Sequence, residues 1–231
     1  MKRTRLWLLG LALCCAPADR ADTLYTFSMD TAPLVGNGLF TLDFQLLDGS
    51  GLPMDLNNNT VALSGFGFGA GGSASGGGTA TGGASGALAL GVTLSDSSFF
   101  NEYYESFSPG ALLTFTIDTT NVADPGGTPD LFTVAILDSN GFELPTTGPA
   151  SEFLDVSLAG GASPQVSVFG SAPGSVYALS APEVQVESPA AAPEPPPVWG
   201  VLGVLVLLWI GRWRSGRSRR RHGPVTSGPL G

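Results

Sequence analysis

Three runs of this chain alternate apolar and polar residues with a period of two. Phe40, Leu42, Phe44 and Leu46 alternate with Thr41, Asp43 and Gln45. Leu88, Leu90, Val92 and Leu94 alternate with Ala89, Gly91 and Thr93, and Leu113, Phe115 and Ile117 with Thr114, Thr116 and Asp118. Successive side chains of a strand point to opposite faces, so each run predicts a strand with one buried face. Further strands are expected over residues 24–30, 60–68, 131–138, 153–158, 165–169 and 176–180. Turn-forming sequences separate them: Asp48-Gly49, Asp124-Pro125-Gly126-Gly127, Asn140-Gly141 and Gly160-Gly161. Residues 131–144, centred on Ser139-Asn140-Gly141, read as a hairpin. No segment of the middle offers a long amphipathic helix. The fold class is therefore all-β, an antiparallel β-sandwich over residues 23–180.

Charge placement excludes several functions. All ten Lys and Arg lie at Lys2, Arg3, Arg5, Arg20, Arg212, Arg214, Arg217, Arg219, Arg220 and Arg221, so residues 21–211 carry none. Of the 19 acids, every one except Asp19 falls in that stretch. Nucleic-acid binding rests on cations that neutralise phosphates, and this domain has none to offer. The one histidine, His222, sits in the terminal basic tail, and Cys14 and Cys15 sit in an N-terminal apolar run. Nucleophile–histidine pairs and Cys/His zinc sites cannot be built from the middle residues. The reading is of a protein that is not an enzyme.

The N-terminus reads as an address. Lys2, Arg3 and Arg5 precede an apolar run from Leu6 to Cys15, and Ala16-Pro17-Ala18 supplies small residues for cleavage. This predicts a secretory signal peptide over residues 1–18, too short to span a bilayer as a stable helix. Leu13 is too large for a lipoprotein signal at Cys14. Without Cys14 and Cys15 the exported chain has no disulfide and depends on its core.

The C-terminus reads as a second address. Residues 181–197 include six prolines and predict an extended spacer. Residues 198–211 are uncharged and apolar on every face, which predicts a membrane-inserted helix. Trp199, Trp209 and Trp213 suit the bilayer interfaces, and the flanking arginines can snorkel, which extends a short span. Arg212, Arg214, Arg217, Arg219, Arg220 and Arg221 then hold residues 212–222 in the cytoplasm by the positive-inside rule.

Pro193-Glu194-Pro195, an apolar helix and an arginine cluster, in that order, resemble a PEP-CTERM sorting signal over residues 193–222. The resemblance implies processing by exosortase, a membrane protease-transpeptidase, near Pro193, Glu194 and Pro195. It further implies a single-pass precursor in the inner membrane of a Gram-negative cell. Its product would be delivered to the cell surface or the extracellular polysaccharide matrix, with exopolysaccharide as a candidate partner. The middle also resembles a group of PEP-CTERM proteins, through Leu24-Tyr25-Thr26-Phe27-Ser28-Met29-Asp30-Thr31 and Leu42-Asp43-Phe44-Gln45. That likeness implies the sandwich and the sorting route, and no activity. Leu144-Pro145-Thr146-Thr147-Gly148 mimics a sortase motif, but the apolar helix does not follow it directly, so it reads as a loop.

Two segments of the middle stand out. Residues 65–86 are half glycine and read as an insertion between strands, with no phosphate-binding frame. Residues 98–108 cluster Phe99, Phe100, Tyr103, Tyr104 and Phe107 around Asn101, Glu102 and Glu105. They read either as a core strand or as a carbohydrate-binding surface whose candidate glycan contacts are Phe100, Tyr103 and Tyr104. Calcium is the natural ion for an acidic exported domain. Asp138-Ser139-Asn140-Gly141 begins like a calcium loop, but the later ligands are missing. A loop site at Asp124 and Asp130 is conceivable, yet nothing in the spacing selects it. The sequence assigns no metal and no cofactor.

Overall fold

The computed structural model describes residues 23–49, 58–124, 128–160 and 164–187. The expected signal peptide over 1–18, the motif Pro193-Glu194-Pro195, the apolar run 198–211 and the arginine tail lie outside them. Among the described residues no helix is long and apolar enough to cross a membrane.

Thirteen strands are assigned among the described residues, with one short 3-10 turn at Ala32–Leu34. In chain order they are β1 (Thr23–Asp30), β2 (Phe40–Leu47), β3 (Thr60–Gly67), β4 (Ser73–Ala74), β5 (Thr79–Thr81), β6 (Gly83–Ala87) and β7 (Gly91–Ser95). There follow β8 (Phe100–Ser108), β9 (Leu112–Thr119), β10 (Asp130–Leu137), β11 (Leu154–Leu158), β12 (Gln165–Val168) and β13 (Glu183–Glu187). One sheet runs β13-β1-β9-β3-β7-β6. The other runs β12-β11-β10-β2-β8-β4, with β5 also pairing β8. Every ladder is antiparallel.

The alternation in the sequence becomes the core between the sheets. Tyr25, Phe27 and Met29 of β1, and Leu113, Phe115 and Ile117 of β9, are buried from one side. Phe40, Leu42, Phe44 and Leu46 of β2, and Phe132, Val134 and Ile136 of β10, meet them from the other. Phe115 stacks on Phe27 at 4.3 Å between ring centroids and takes Phe44 edge-on at 5.7 Å. Such pairs contribute about 0.5–1.5 kcal/mol beyond the burial itself.

The structure redraws several local expectations. Residues 88–90 form the turn between β6 and β7, with Leu88 buried and Leu90 almost fully exposed, so the strand begins only at Gly91. Gly91 has φ +119°, a backbone conformation that side-chain-bearing residues rarely adopt. Residues 176–180 form no strand, although the Ser171 amide donates to the Leu179 carbonyl. The Asn140-Gly141 turn is present, and the Leu144 amide donates to the Ile136 carbonyl. Its returning arm is only the bridge Leu137–Glu143, because Pro145 has no amide to continue the ladder. The glycine-rich segment supplies β4, β5 and the start of β6.

The domain also runs past residue 180. Residues 183–187 of the expected spacer form β13, which pairs with β1 from Leu24–Glu187 to Ser28–Glu183. Val184 packs on the core, and the Thr26 hydroxyl donates to Glu187 at 3.0 Å. Pro182 and Pro189 bracket the strand. Proline within a ladder would leave it a donor short, so the strand sits between the two.

Candidate functional site

Two groups of acids stand apart from the hydrophobic core. The first lies where β2 ends, β3 begins, β7 and β9 end, and β10 begins. Asp48, Asp96, Asp124, Asp130 and Asn59 are all buried there. Asp48 follows β2 and Asp130 opens β10 of one sheet, whereas Asp96, Asp124 and Asn59 flank strands of the other. Asp130 opens β10 at an inward-facing position of the strand, in line with Phe132 and Val134.

A hydrogen-bond network holds the loops around these acids. Asp130 accepts the Gly49 amide on Oδ1 at 2.8 Å and the Asn59 Nδ2 on Oδ2 at 2.8 Å. Asp96 accepts the Asn58 and Asn59 amides on Oδ2 at 3.2 and 3.0 Å. Asn59 Oδ1 accepts the Val122 amide at 2.8 Å, and its Nδ2 also donates to the Val122 carbonyl at 2.9 Å. Asn58 Nδ2 donates to Asp124 Oδ1 at 2.5 Å.

Three carboxylates of this group converge. Asp48, Asp124 and Asp130 each offer an oxygen within 4.8 Å of the others. Asp124 Oδ2 and Asn58 Oδ1 are buried and receive no hydrogen bond. Burial holds the Asp124 and Asp130 carboxyls above the ordinary carboxylate range. Charge adds to the effect, from Asp130 and Asp48 on Asp124 and from Asp96 on Asp130. The sequence named Asp124 and Asp130 as a conceivable pair and missed Asp48, whose Asp48-Gly49 pair read only as a turn.

The second group lies on the outer face of the sheet containing β2. Asp43 and Gln45 point outward from β2, and Glu102 and Tyr104 from β8, where Asp43 sits opposite Tyr104 and Gln45 opposite Glu102. The connection from β10 to β11 brings Glu143, Pro149, Ala150 and Glu152 over this face. With Gln45, Thr133 and Asp155 they enclose a cavity of about 200 Å³. Burial is the main cause that raises Asp43 to about 7, against the Gln45 amide, which donates at 2.7 Å. Asp155 also rises to about 7, through burial and then the neighbouring Glu152.

The candidate glycan contacts divide between the two faces of β8. Phe100 and Tyr104 lie on the outer face, 40% and 38% exposed. Tyr103 is 1% exposed and points into the core, so it cannot meet a sugar ring. Strand alternation makes this unavoidable, since neighbouring positions face opposite ways. The Tyr103 hydroxyl instead donates to Glu105. Searches of protein-family models, curated proteins and solved structures found no match to this chain.

Proposed function

We propose that this chain is an exported protein, processed by exosortase and displayed at the cell surface or in the extracellular matrix, where it has a structural or adhesive role. One observation carries the reading. Pro193-Glu194-Pro195, the apolar run 198–211 and the six arginines stand in the order of a sorting signal, behind a domain without a single Lys or Arg. Export also suits a sandwich whose stability comes from a continuous apolar core with no cysteine. The test is the intact mass of the protein recovered from native cells with and without exosortase. Loss of both ends in the first strain, and retention of the tail in the second, is expected. Identical masses and locations in both would sink the proposal.

A second reading has a specific observation in its favour. Phe100 and Tyr104 present partly exposed rings on one face of β8, with Glu102 between them. Rings and carboxylates arranged this way can stack on a sugar and accept its hydroxyls. A glycan array separates the readings. Saturable binding that Tyr104→Ala abolishes favours a carbohydrate-binding module.

A further inference from the structure

We propose that Asp48, Asp124 and Asp130 form a calcium site that ties the two sheets together at one end of the sandwich. Three observations point to a cation there. The first is convergence: one oxygen from each carboxylate lies within 4.8 Å of the others. The second is an orphaned acceptor. Asp124 is 7% exposed, and its Oδ2 receives no hydrogen bond. The carboxyl group Asp124 faces is that of Asp130, and the two can hydrogen-bond only through a proton that one of them keeps. The third is the absence of any internal counter-charge, because residues 21–211 contain no Lys, Arg or His. Buried anions that the chain cannot neutralise need a cation or a proton from outside.

The chemistry selects the ion. Carboxylate and amide oxygens are hard ligands, which favour calcium or magnesium over zinc or copper. Calcium binds oxygen at about 2.3–2.6 Å, so two of its ligands on opposite sides stand roughly 4.6–5.2 Å apart. Oxygens that all lie within 4.8 Å of one another are close enough to share one such ion. Magnesium gives up its waters reluctantly and is seldom held by protein ligands alone. Asn58 Oδ1 is buried and without a donor, a neutral amide oxygen on a side chain next to Asp124. Its side chain is already fixed by the bond from Nδ2 to Asp124. A bound ion would join Asp48, just past β2, and Asp130, the first residue of β10, in one sheet to Asp124, which follows β9 of the other.

The site rests on the folded domain and stands whether or not the chain is exported. The test is equilibrium dialysis of the full-length chain in detergent against radioactive calcium, with a large excess of magnesium. Wild type should retain one calcium per chain, and Asp124→Asn should retain none. Asp155→Asn, in the outer acidic group, and Asp138→Asn, in the loop that begins like a calcium motif, should each retain one. Thermal melts followed by circular dichroism give the second readout. Calcium should raise the wild-type Tm well beyond an equal ionic strength of NaCl and raise that of Asp124→Asn no more than the NaCl does. If Asp124→Asn fails to fold, Asp48→Asn takes its place with the same expectation. The proposal is overturned if wild type binds no calcium, if magnesium displaces it, or if binding survives at Asp124→Asn and disappears at Asp155→Asn or Asp138→Asn.

Discussion

The hydroxyl of Tyr103 donates to the carboxylate of Glu105, two residues further along β8, and both side chains are buried. The same carboxylate accepts the Gly76 amide at 3.0 Å and the Leu88 amide at 2.9 Å. A single acid on β8 therefore ties down the middle of the glycine-rich segment and the turn that follows it. Gly78 lies so close to the Tyr103 hydroxyl that a Cβ there would collide with it. Glycine stands at this position because the tyrosine leaves no room, and not because the segment must flex.

Tyr103→Phe should lower stability by about 1–3 kcal/mol, the usual effect of removing a donor from a buried carboxylate. Gly78→Ala should destabilise the parent by more than it destabilises Tyr103→Phe, since the hydroxyl is the nearest colliding atom. Urea unfolding of the four proteins in the double-mutant cycle measures the coupling, expected at about 0.5–3 kcal/mol. Additive effects would mean that the two residues do not act on each other.

Stability should fall as pH rises from about 4 to 7. Asp43 ionises at its ordinary value of 3.8 in the unfolded chain and at about 7 in the folded one. Well below pH 3.8 both states hold the proton and the group is neutral to folding. Between these values the unfolded chain alone releases it, so each step up in pH favours unfolding. Above about 7 the full effect is present, roughly 4 kcal/mol for a shift of this size. Asp155 moves in the same direction for the same main reason, burial. Asp138 has the opposite sign, lowered by the amides of Phe142 and Asn140, but its effect is lost only below pH 3.8. Urea midpoints at pH 4.5 and 7.5 test the slope, and Asp43→Asn should reduce it. A midpoint that rises with pH over this interval would refute the burial argument.

The period-two runs of β2 and β9 carried the sandwich because each has a single buried face, which leaves one register open to it. Elsewhere the local pattern was ambiguous. Leu88 and Leu90 continue an alternation, but a turn intervenes, and only the pairing of β6 with β7 decides where the strand starts. Glu183, Gln185 and Glu187 read as spacer beside so many prolines, whereas the free edge of β1 recruits them. The acidic site was harder still. Its members are scattered from Asp48 to Asp130 and meet only because neighbouring strands begin and end there. No spacing along the chain encodes that meeting. The division of Tyr103 from Tyr104 was readable, since strand alternation alone sends adjacent tyrosines to opposite faces.

Monovalent salt should stabilise the folded domain. No Lys or Arg offsets its carboxylates, so like charges oppose compactness. At about 0.15 M salt the screening length falls to roughly 8 Å, which damps repulsion between exposed acids. The Tm should rise with NaCl from low to moderate ionic strength, in wild type and in Asp124→Asn alike. A Tm indifferent to NaCl would show that self-repulsion is negligible.

The tail gives the prediction with the largest biological consequence. Three physical features are ordered along it: a proline-rich approach, a short apolar run and a block of arginines. In the proposed reading the prolines beyond β13 keep a cut site accessible, since proline has no amide to give a ladder. In the same reading the apolar run would insert, and the arginines would resist transfer across the bilayer and set its direction. These roles are separable by mutation. Glu194→Ala changes recognition without touching hydrophobicity, so the precursor should still insert but should accumulate uncut. Serine at Arg212, Arg214, Arg217, Arg219, Arg220 and Arg221 removes the barrier, so uncut precursor should escape the inner membrane. Fractionation followed by intact-mass measurement distinguishes the two. If Glu194→Ala is cut at the wild-type rate, the motif is not what the processing enzyme reads. If the serine variant stays fully retained, the apolar run alone anchors the chain.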